Sequence, residues 1–352
     1  MVGIIGSGYF GTAIANLLAL NSNILMYVHN GDLLESIKTK RISSGQILAG
    51  NISLTGDISE IAEKCEVIFL IVPTEYFKIT LEKLCPSLKS KHIIIHGTKG
   101  LYIASSLGWN QKTNSNITLN PKDISTMSDL IKNSFDTEYI GCISGPNLAS
   151  ELARGFPAAT VIASKSPKVL KVGTELLQSD KLKVYQNQDI LGVELAGILK
   201  NIIAIATGYI HGLGYGENTK SFVICRGIQE MATIGRVMKA NINTFWGLSG
   251  VGDAIATSMS HSSRNHILGS RIARGESIDK ILENTTDTFE GVQTTMVVKN
   301  LAIHFGLKLP VMETVYNILF GAAITSHEAM QSFMRSETLD DLMLSCPKIG
   351  LH

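Results

Sequence analysis

No aspartate, glutamate, lysine or arginine precedes Asp32 in this chain of 352 residues. Such a start invites reading as a secretory signal or a membrane anchor. The positive segment of a signal peptide is missing, however, and the apolar stretch is broken by Gly6, Ser7, Gly8, Gly11, Thr12, Asn16 and the polar run from Asn21 to Asn23. A buried strand, turn, helix and second strand account for the missing charge instead. Long hydrophobic runs are also lacking: the uncharged residues 201–216 fall short of the ~18 apolar residues that a spanning helix needs, so no membrane span is expected. Neither sign of charge is in excess, with 31 basic and 30 acidic side chains and a net +1, which argues against a nucleic-acid or membrane-surface partner held by bulk charge. Cysteine is sparse and unpatterned. Cys65, Cys85, Cys142, Cys225 and Cys346 are odd in number and contain no C-x-x-C, which fits unpaired thiols in a reducing compartment, and the cytoplasm is the expected location. Metal ligands are poorly spaced: His92 and His96 stand ~13 Å apart in an expected strand and His261 and His266 are five residues apart, so no metal site is expected. The serine elbow G-x-S-x-G and the phosphate loop G-x-x-x-x-G-K-[ST] are both absent.

What is present is a globular composition, 45% hydrophobic and 17% charged, long enough for two domains. Residues 2–5, 24–28, 67–72 and 92–96 are strand-length runs rich in Ile and Val, separated by segments that can hold crossover helices. That alternation predicts an α/β domain with a doubly wound parallel sheet. Residues 139–144, 159–163 and 183–185 are candidates to extend it, so the first domain is placed at 1–187. Residues 101–138, rich in Asn, Ser, Thr and Lys, read as a surface excursion with some helix. From residue 190 the strand pattern stops. Residues 193–206 are apolar on most sides and predict a helix buried in a bundle, and residues 221–239, 262–274 and 312–323 also read as helices. The second domain, 188–352, is therefore expected to be all-α.

The strongest local signal is Gly6-Ser7-Gly8-Tyr9-Phe10-Gly11, a G-x-G-x-x-G that follows a strand and opens a helix. Gly6 permits the tight turn, Gly8 lets backbone approach a pyrophosphate, and Gly11 allows close packing of helix on strand. The helix N-terminus then offers unpaired N–H groups to phosphates. A packing turn is the plainer alternative. About 20 residues further on, a carboxylate would bind the ribose of NAD, but His29-Asn30 stands there instead. The missing acid leans toward NADP or dual use, unless His29 merely ends a strand. Lys99, in His96-Gly97-Thr98-Lys99-Gly100, lies at the end of an expected strand where ligands of open α/β sheets bind, as does Gly145 in Ser144-Gly145-Pro146-Asn147.

Lys200 sits in an apolar helix, where burial would disfavour its charge and bring its pKa toward the range useful for acid–base work. Ala196, Ala204 and Gly208 share its face and leave room beside the ammonium. Snorkelling, or a pair with Glu194, is the alternative. Asn201 follows and can bind a ligand or bridge the core. Asp253 is a carboxylate in a glycine-rich turn, and Ser262-Ser263-Arg264-Asn265 combines hydroxyls, a guanidinium and an amide suited to phosphate, or else starts a helix with a surface arginine. Glu290-Gly291 is a weaker signal.

Over nearly its whole length the chain resembles the bacterial NAD(P)-dependent glycerol-3-phosphate dehydrogenase family. The resemblance rests on residues 6–13, Thr98-Lys-Gly-Leu, Ile143-Ser-Gly-Pro, residues 194–206, Gly252-Asp, Ser263-Arg-Asn and Glu290-Gly, in the expected order. It implies an N-terminal Rossmann domain followed by a helical domain of the 6-phosphogluconate dehydrogenase type. It also implies reduction of dihydroxyacetone phosphate to sn-glycerol 3-phosphate with NAD or NADP, serving phospholipid synthesis; a homodimer through the helical domain is expected besides. By the same resemblance Lys200 is the proton donor, Asp253 orients it, and Lys99 serves cofactor and substrate. Gly145, Asn147, Asn201, Arg264 and Asn265 match substrate positions. Tyr9, Phe10, His29, Ala149, Ser263, Arg264 and Glu290 match cofactor positions beside Gly6, Gly8 and Gly11. Three departures stand out: residues 101–140 are long for the family, Asn147 replaces a common Ser or Thr, and Thr288 stands where Val is expected and is left outside the site. Two rival readings remain, a related dehydrogenase for another hydroxy acid or sugar acid and a non-catalytic nucleotide sensor. The first is disfavoured by Lys200-Asn201 occurring with Ser263-Arg264-Asn265, the second by Lys99, Lys200 and Asp253 together.

Overall fold

A computed structural model describes residues 1–104, 118–285, 288–321 and 324–335. Its strands, in chain order, are β1 (Val2–Ile5), β2 (Ile24–Tyr27), the short β3 (Ile42–Ser43) and β4 (Gln46–Ile47), β5 (Ile52–Thr55), β6 (Val67–Leu70), β7 (Ile93–His96), the short β8 (Tyr102–Ile103) and β9 (Ile124–Ser125), β10 (Ile140–Ser144), β11 (Ala158–Ala163) and β12 (Leu182–Asn187). Eight of them form one sheet in the order β12-β11-β10-β7-β6-β1-β2-β5. Strand order reverses between β1 and β6, so the loops leaving those two strands border a crevice.

Both sheet faces are covered, which is why these strands read as continuous apolar runs. Ile4, Phe69, Ile93 and Ile95 face α1 (Tyr9–Leu18) and α7 (Pro167–Leu177). Ile5, Ile68, Leu70 and Ile94 face α3 (Ile58–Lys64), α4 (Thr74–Leu84) and α5 (Met127–Ser134). Three sequence expectations change. β11 runs antiparallel to β10, so the sheet is parallel except at that pair. β5 is an additional strand at the sheet edge, hidden in the sequence because it is short and only its two ends, Ile52 and Thr55, are buried. Residues 101–138 are not a surface excursion where described: Leu101, Ile103, Leu119 and Ile124 enter the core of the helical part, and Met127 and Ile131 are fully buried against the sheet. Residues 105–117 of that segment lie outside the described residues, as does Cys346.

Among the described residues no strand follows Asn187. The 23-residue α8 (Ile190–Gly212) is the axis of the helical part, buried from Gly192 to Ile210. Asp189 starts it by accepting from the Gly192 N–H at 3.0 Å, and its other oxygen accepts from Asn241 N and Thr244 Oγ1. Among the described residues α8 is the one helix long and apolar enough to cross a bilayer, but protein covers it on all sides, which identifies a core helix. Around it pack α9 (Glu217–Val237), α10 (Asp253–Met259), α11 (Arg264–Ala273), α13 (Glu290–Phe305) and α14 (Pro310–Phe320).

Candidate active site

The crevice at the strand ends opens into a cleft of about 640 Å³ between the sheet loops and the helical part. One wall is the glycine turn after β1. Gly6 has φ +130°, and a Cβ there would fall 2.0 Å from the Ile71 carbonyl oxygen, while one on Gly11 would fall 2.0 Å from that of Gly6. Both are therefore demanded by backbone packing. A Cβ on Gly8 would meet nothing within 4 Å, so this position opens on the cleft at the N-terminus of α1, as close approach of a phosphate requires. The turn is braced by the hairpin of β3 and β4: Ser43 and Ser44 hydroxyls donate to the Ser7 carbonyl at 3.0 and 2.9 Å, and Gln46 Nε2 donates to that of Tyr9 at 2.7 Å. Sequence reading missed this brace, whose signal was the Ser44-Gly45 turn.

The opposite wall holds the titratable centre. Lys200 is 7% exposed on α8, and its Nζ donates to Asp253 Oδ1 at 3.0 Å and to Thr257 Oγ1 at 2.5 Å. The other Asp253 oxygen accepts from Lys99 Nζ, so two ammonium groups from different parts of the fold share one buried carboxylate. Burial is the largest influence on Lys200 and, against the attraction of Asp253, brings its pKa down to about 8, with the Lys99 charge acting in the same direction. Burial alone would raise the Asp253 carboxyl, but Lys200 and Lys99 hold it below the usual carboxylate range. Thr257, one turn after Asp253 on α10, also donates to Oδ1 at 3.2 Å. It too was missed, although the i, i+4 spacing placed both on one helix face.

Asn201 and Asn265 both line the cleft but are tied to each other: Asn265 Nδ2 donates to Asn201 Oδ1 at 3.0 Å, and Asn265 Oδ1 accepts from Gly291 N at 3.2 Å. Arg264 opens α11 on the cleft with its side chain exposed. Glu290 lies close enough for charge coupling to Arg264. Burial raises its carboxyl against that attraction and against a 3.2 Å bond from Thr74 Oγ1. Ser263 is the N-cap of α11, accepting from His266 N. Tyr9, Phe10, Lys99, Asn147 and Ala149 also line the cleft, with Asn147 Nδ2 donating to Thr160 Oγ1 at 3.0 Å and its Oδ1 buried without a partner among the described residues. Gly6, Gly145 and Asp253 stand behind the lining, where Gly145 presents its carbonyl to Lys99 Nζ at 3.4 Å. His29 is exposed at the end of β2 and does not line this cleft. Thr288, left aside on sequence grounds, does line it and donates to Glu75 at 3.3 Å.

Two family models match the chain: the N-terminus of NAD-dependent glycerol-3-phosphate dehydrogenase over residues 1–170 and its C-terminus over residues 189–331. A curated relative, glycerol-3-phosphate dehydrogenase [NAD(P)+] of Staphylococcus aureus, is 34% identical over 325 residues, covering 90% of this chain and 92% of that protein. The crystal structure of glycerol-3-phosphate dehydrogenase from Coxiella burnetii superposes with a TM-score of 0.81 at 27% identity, covering 94% of this chain and 97% of that one. A ketopantoate reductase from Ralstonia eutropha, at 10% identity and a TM-score of 0.55 over 95% of this chain and all of that one, shares the fold alone.

Proposed function

The chain belongs to the NAD-dependent glycerol-3-phosphate dehydrogenase family, and from that membership we propose that Lys200, Lys99 and Asp253 are the reaction centre through which it works. The enzyme reduces dihydroxyacetone phosphate reversibly to glycerol 3-phosphate, the hydride being supplied or taken up by NAD(H) or NADP(H). The residues fit such a cofactor, because the open position at Gly8 and the N-terminus of α1 lie at the crevice where the strand order reverses.

One observation carries the assignment: a buried lysine with a pKa near 8, fixed by a carboxylate and a hydroxyl, lines the same cleft as the glycine turn. Lys200 gives its proton to the C2 oxygen of the substrate in reduction and takes it back in oxidation. Asp253 holds the ammonium groups of Lys200 and Lys99 in one geometry, and Lys99 stabilises the oxyanion that develops at C2. Arg264 grips the phosphate in a two-pronged fashion, with Asn265 and Asn201 as neutral donors. Tyr9, Phe10, Ala149, Ser263 and Glu290 border the cofactor. On the same reading residues 1–187 carry the cofactor and residues 188–352 the proton donor. Product supply to phospholipid synthesis, a cytoplasmic location and a homodimer through the helical part belong to this reading as well.

Purified protein mixed with NADH or NADPH should lose absorbance at the nicotinamide band when dihydroxyacetone phosphate is added. With no carboxylate at the end of β2, both cofactors are expected to serve. Absence of any loss while cofactor binding persists would overturn the substrate assignment.

A further inference from the structure

Outside the reaction centre, a second buried cluster of polar groups joins the sheet to the helical part. His96 ends β7 at 1% exposure, and its Nε2 lies 3.1 Å from Glu194 Oε1 on α8 and 3.1 Å from Ser128 Oγ on α5. The same Glu194 oxygen accepts from the Ser128 backbone N–H at 2.9 Å. The imidazole stands edge-on to Phe77, with ring centroids 5.8 Å apart, and its Nδ1 has no partner among the described residues. The ring is therefore held through Nε2 alone, which pairs with Ser128 Oγ and stands beside the Glu194 carboxylate.

Such a cluster is a costly way to hold two layers together, since apolar side chains of the same volume would serve stability equally well. Its place in the chain indicates another use. Gly97, Thr98 and Lys99 follow His96 directly, and Gly197 and Lys200 follow Glu194 on α8. A Cβ on Gly197 would lie 2.6 Å from Ser144 Oγ and 3.6 Å from Lys99 Cδ, so the Lys99 stem runs against α8 one turn beyond Glu194. From there its ammonium reaches the carboxylate that also holds Lys200.

We infer that His96 and Glu194 are positioning residues, a buried clamp that fixes the register of the β7 loop on α8 and so holds Lys99 against the Asp253–Lys200 pair. This rests on the assignment of those three residues to the reaction centre. A displaced Lys99 would remove a positive charge from beside Lys200 and leave Asp253 to Lys200 alone; both changes raise the lysine's pKa. Loss of the clamp should therefore lower turnover and move the alkaline limb of the reduction profile upward.

The test compares the wild type with His96→Phe, which keeps a ring beside Phe77 but has no donor, His96→Gln, which restores an N–H near the Nε2 position, and Glu194→Gln. H96F should lose at least about tenfold in kcat, as misplacement of a reacting group implies. Its affinity for NADH, read by fluorescence titration, should fall by less than its kcat, because none of the clamp's bonds is made to the glycine turn, and its alkaline limb should shift to higher pH. H96Q should recover most of the turnover and the limb. If H96F does not fold, E194Q is read in the same way, because loss of the charge also loosens the clamp. Unchanged kcat, a loss with the limb unmoved, or H96Q behaving like H96F would overturn the inference. Wild-type protein that binds NADH but does not reduce dihydroxyacetone phosphate would overturn the functional reading instead.

Discussion

A lysine buried to 7% exposure beside a second ammonium is held near the pH at which it can both give and accept a proton. With Lys200 as the proposed proton donor, reduction needs it protonated, so its rate should fall as pH rises through about 8. Oxidation of glycerol 3-phosphate needs the free amine and should rise through the same value. Lys200→Ala should cost ~100- to 10,000-fold in kcat in both directions, as expected for loss of a positioned acid–base group, while NADH affinity stays nearly intact. Rate profiles between pH 6 and 10 check both points, and a reduction rate indifferent to pH through 8 would move the proton donor elsewhere. Lys200, Lys99 and Asp253 were legible in the sequence because each is a charge set among apolar or glycine neighbours. Thr257 was not, since a helical threonine gains meaning only when α8 brings Lys200 beside it. His29 was named by its spacing from the glycine turn alone, and it stands exposed at the end of β2, outside the residues that line the cleft.

At the scale of elements, α8 and α11 approach each other closely enough for main-chain contact. The sequence pattern assigned Gly208 to a face that leaves room beside Lys200, but in the fold that room is filled by backbone. A Cβ on Gly208 would fall 2.0 Å from the His266 carbonyl oxygen, and one on Gly269 would fall 2.0 Å from that of Ile205. The two helices touch main chain to main chain, and this contact brings Asn201 within 3.0 Å of Asn265 and sets Arg264 at the cleft. Gly208→Ala or Gly269→Ala should therefore destabilise the protein by at least ~1–3 kcal/mol, as forced overpacking does, and raise KM for dihydroxyacetone phosphate more than KM for NADH. Urea unfolding with steady-state kinetics reads both, and an alanine tolerated at either position would show that the helices can separate freely. Strand direction was as hard to read as helix proximity. The apolar runs marked β10 and β11 as strands, but the link between them holds just the five-residue α6 (Ala149–Ala153), too little for the usual parallel crossover, and the chain returns antiparallel.

Taken as a whole, the molecule is divided more sharply in sequence than in space. β12 ends at Asn187 and α8 begins at Ile190, yet the cores do not respect that point. Leu101, Ile103, Leu119 and Ile124 leave the sheet half to pack with the α8 bundle, while Val193 of α8 packs with Cys142, Val161 and Ala163 of the sheet. The near-zero net charge hides a similar sharing, because basic groups lining the cleft come from both halves: Lys99 from a sheet loop, Lys200 and Arg264 from helices. Neither half can unfold without exposing apolar surface of the other, so the two halves are expected to unfold together in one cooperative step. Urea curves followed by tryptophan fluorescence, to which Trp246 of the helical part contributes, and by far-UV circular dichroism, which weights both halves, should coincide. NADH at about a hundred times its Kd should move the two curves together, by about 2.7 kcal/mol if the unfolded chain does not bind it. Two separated transitions, or a cofactor shift confined to one probe, would mean that the halves fold independently and that the shared core contributes little to holding the cleft in shape.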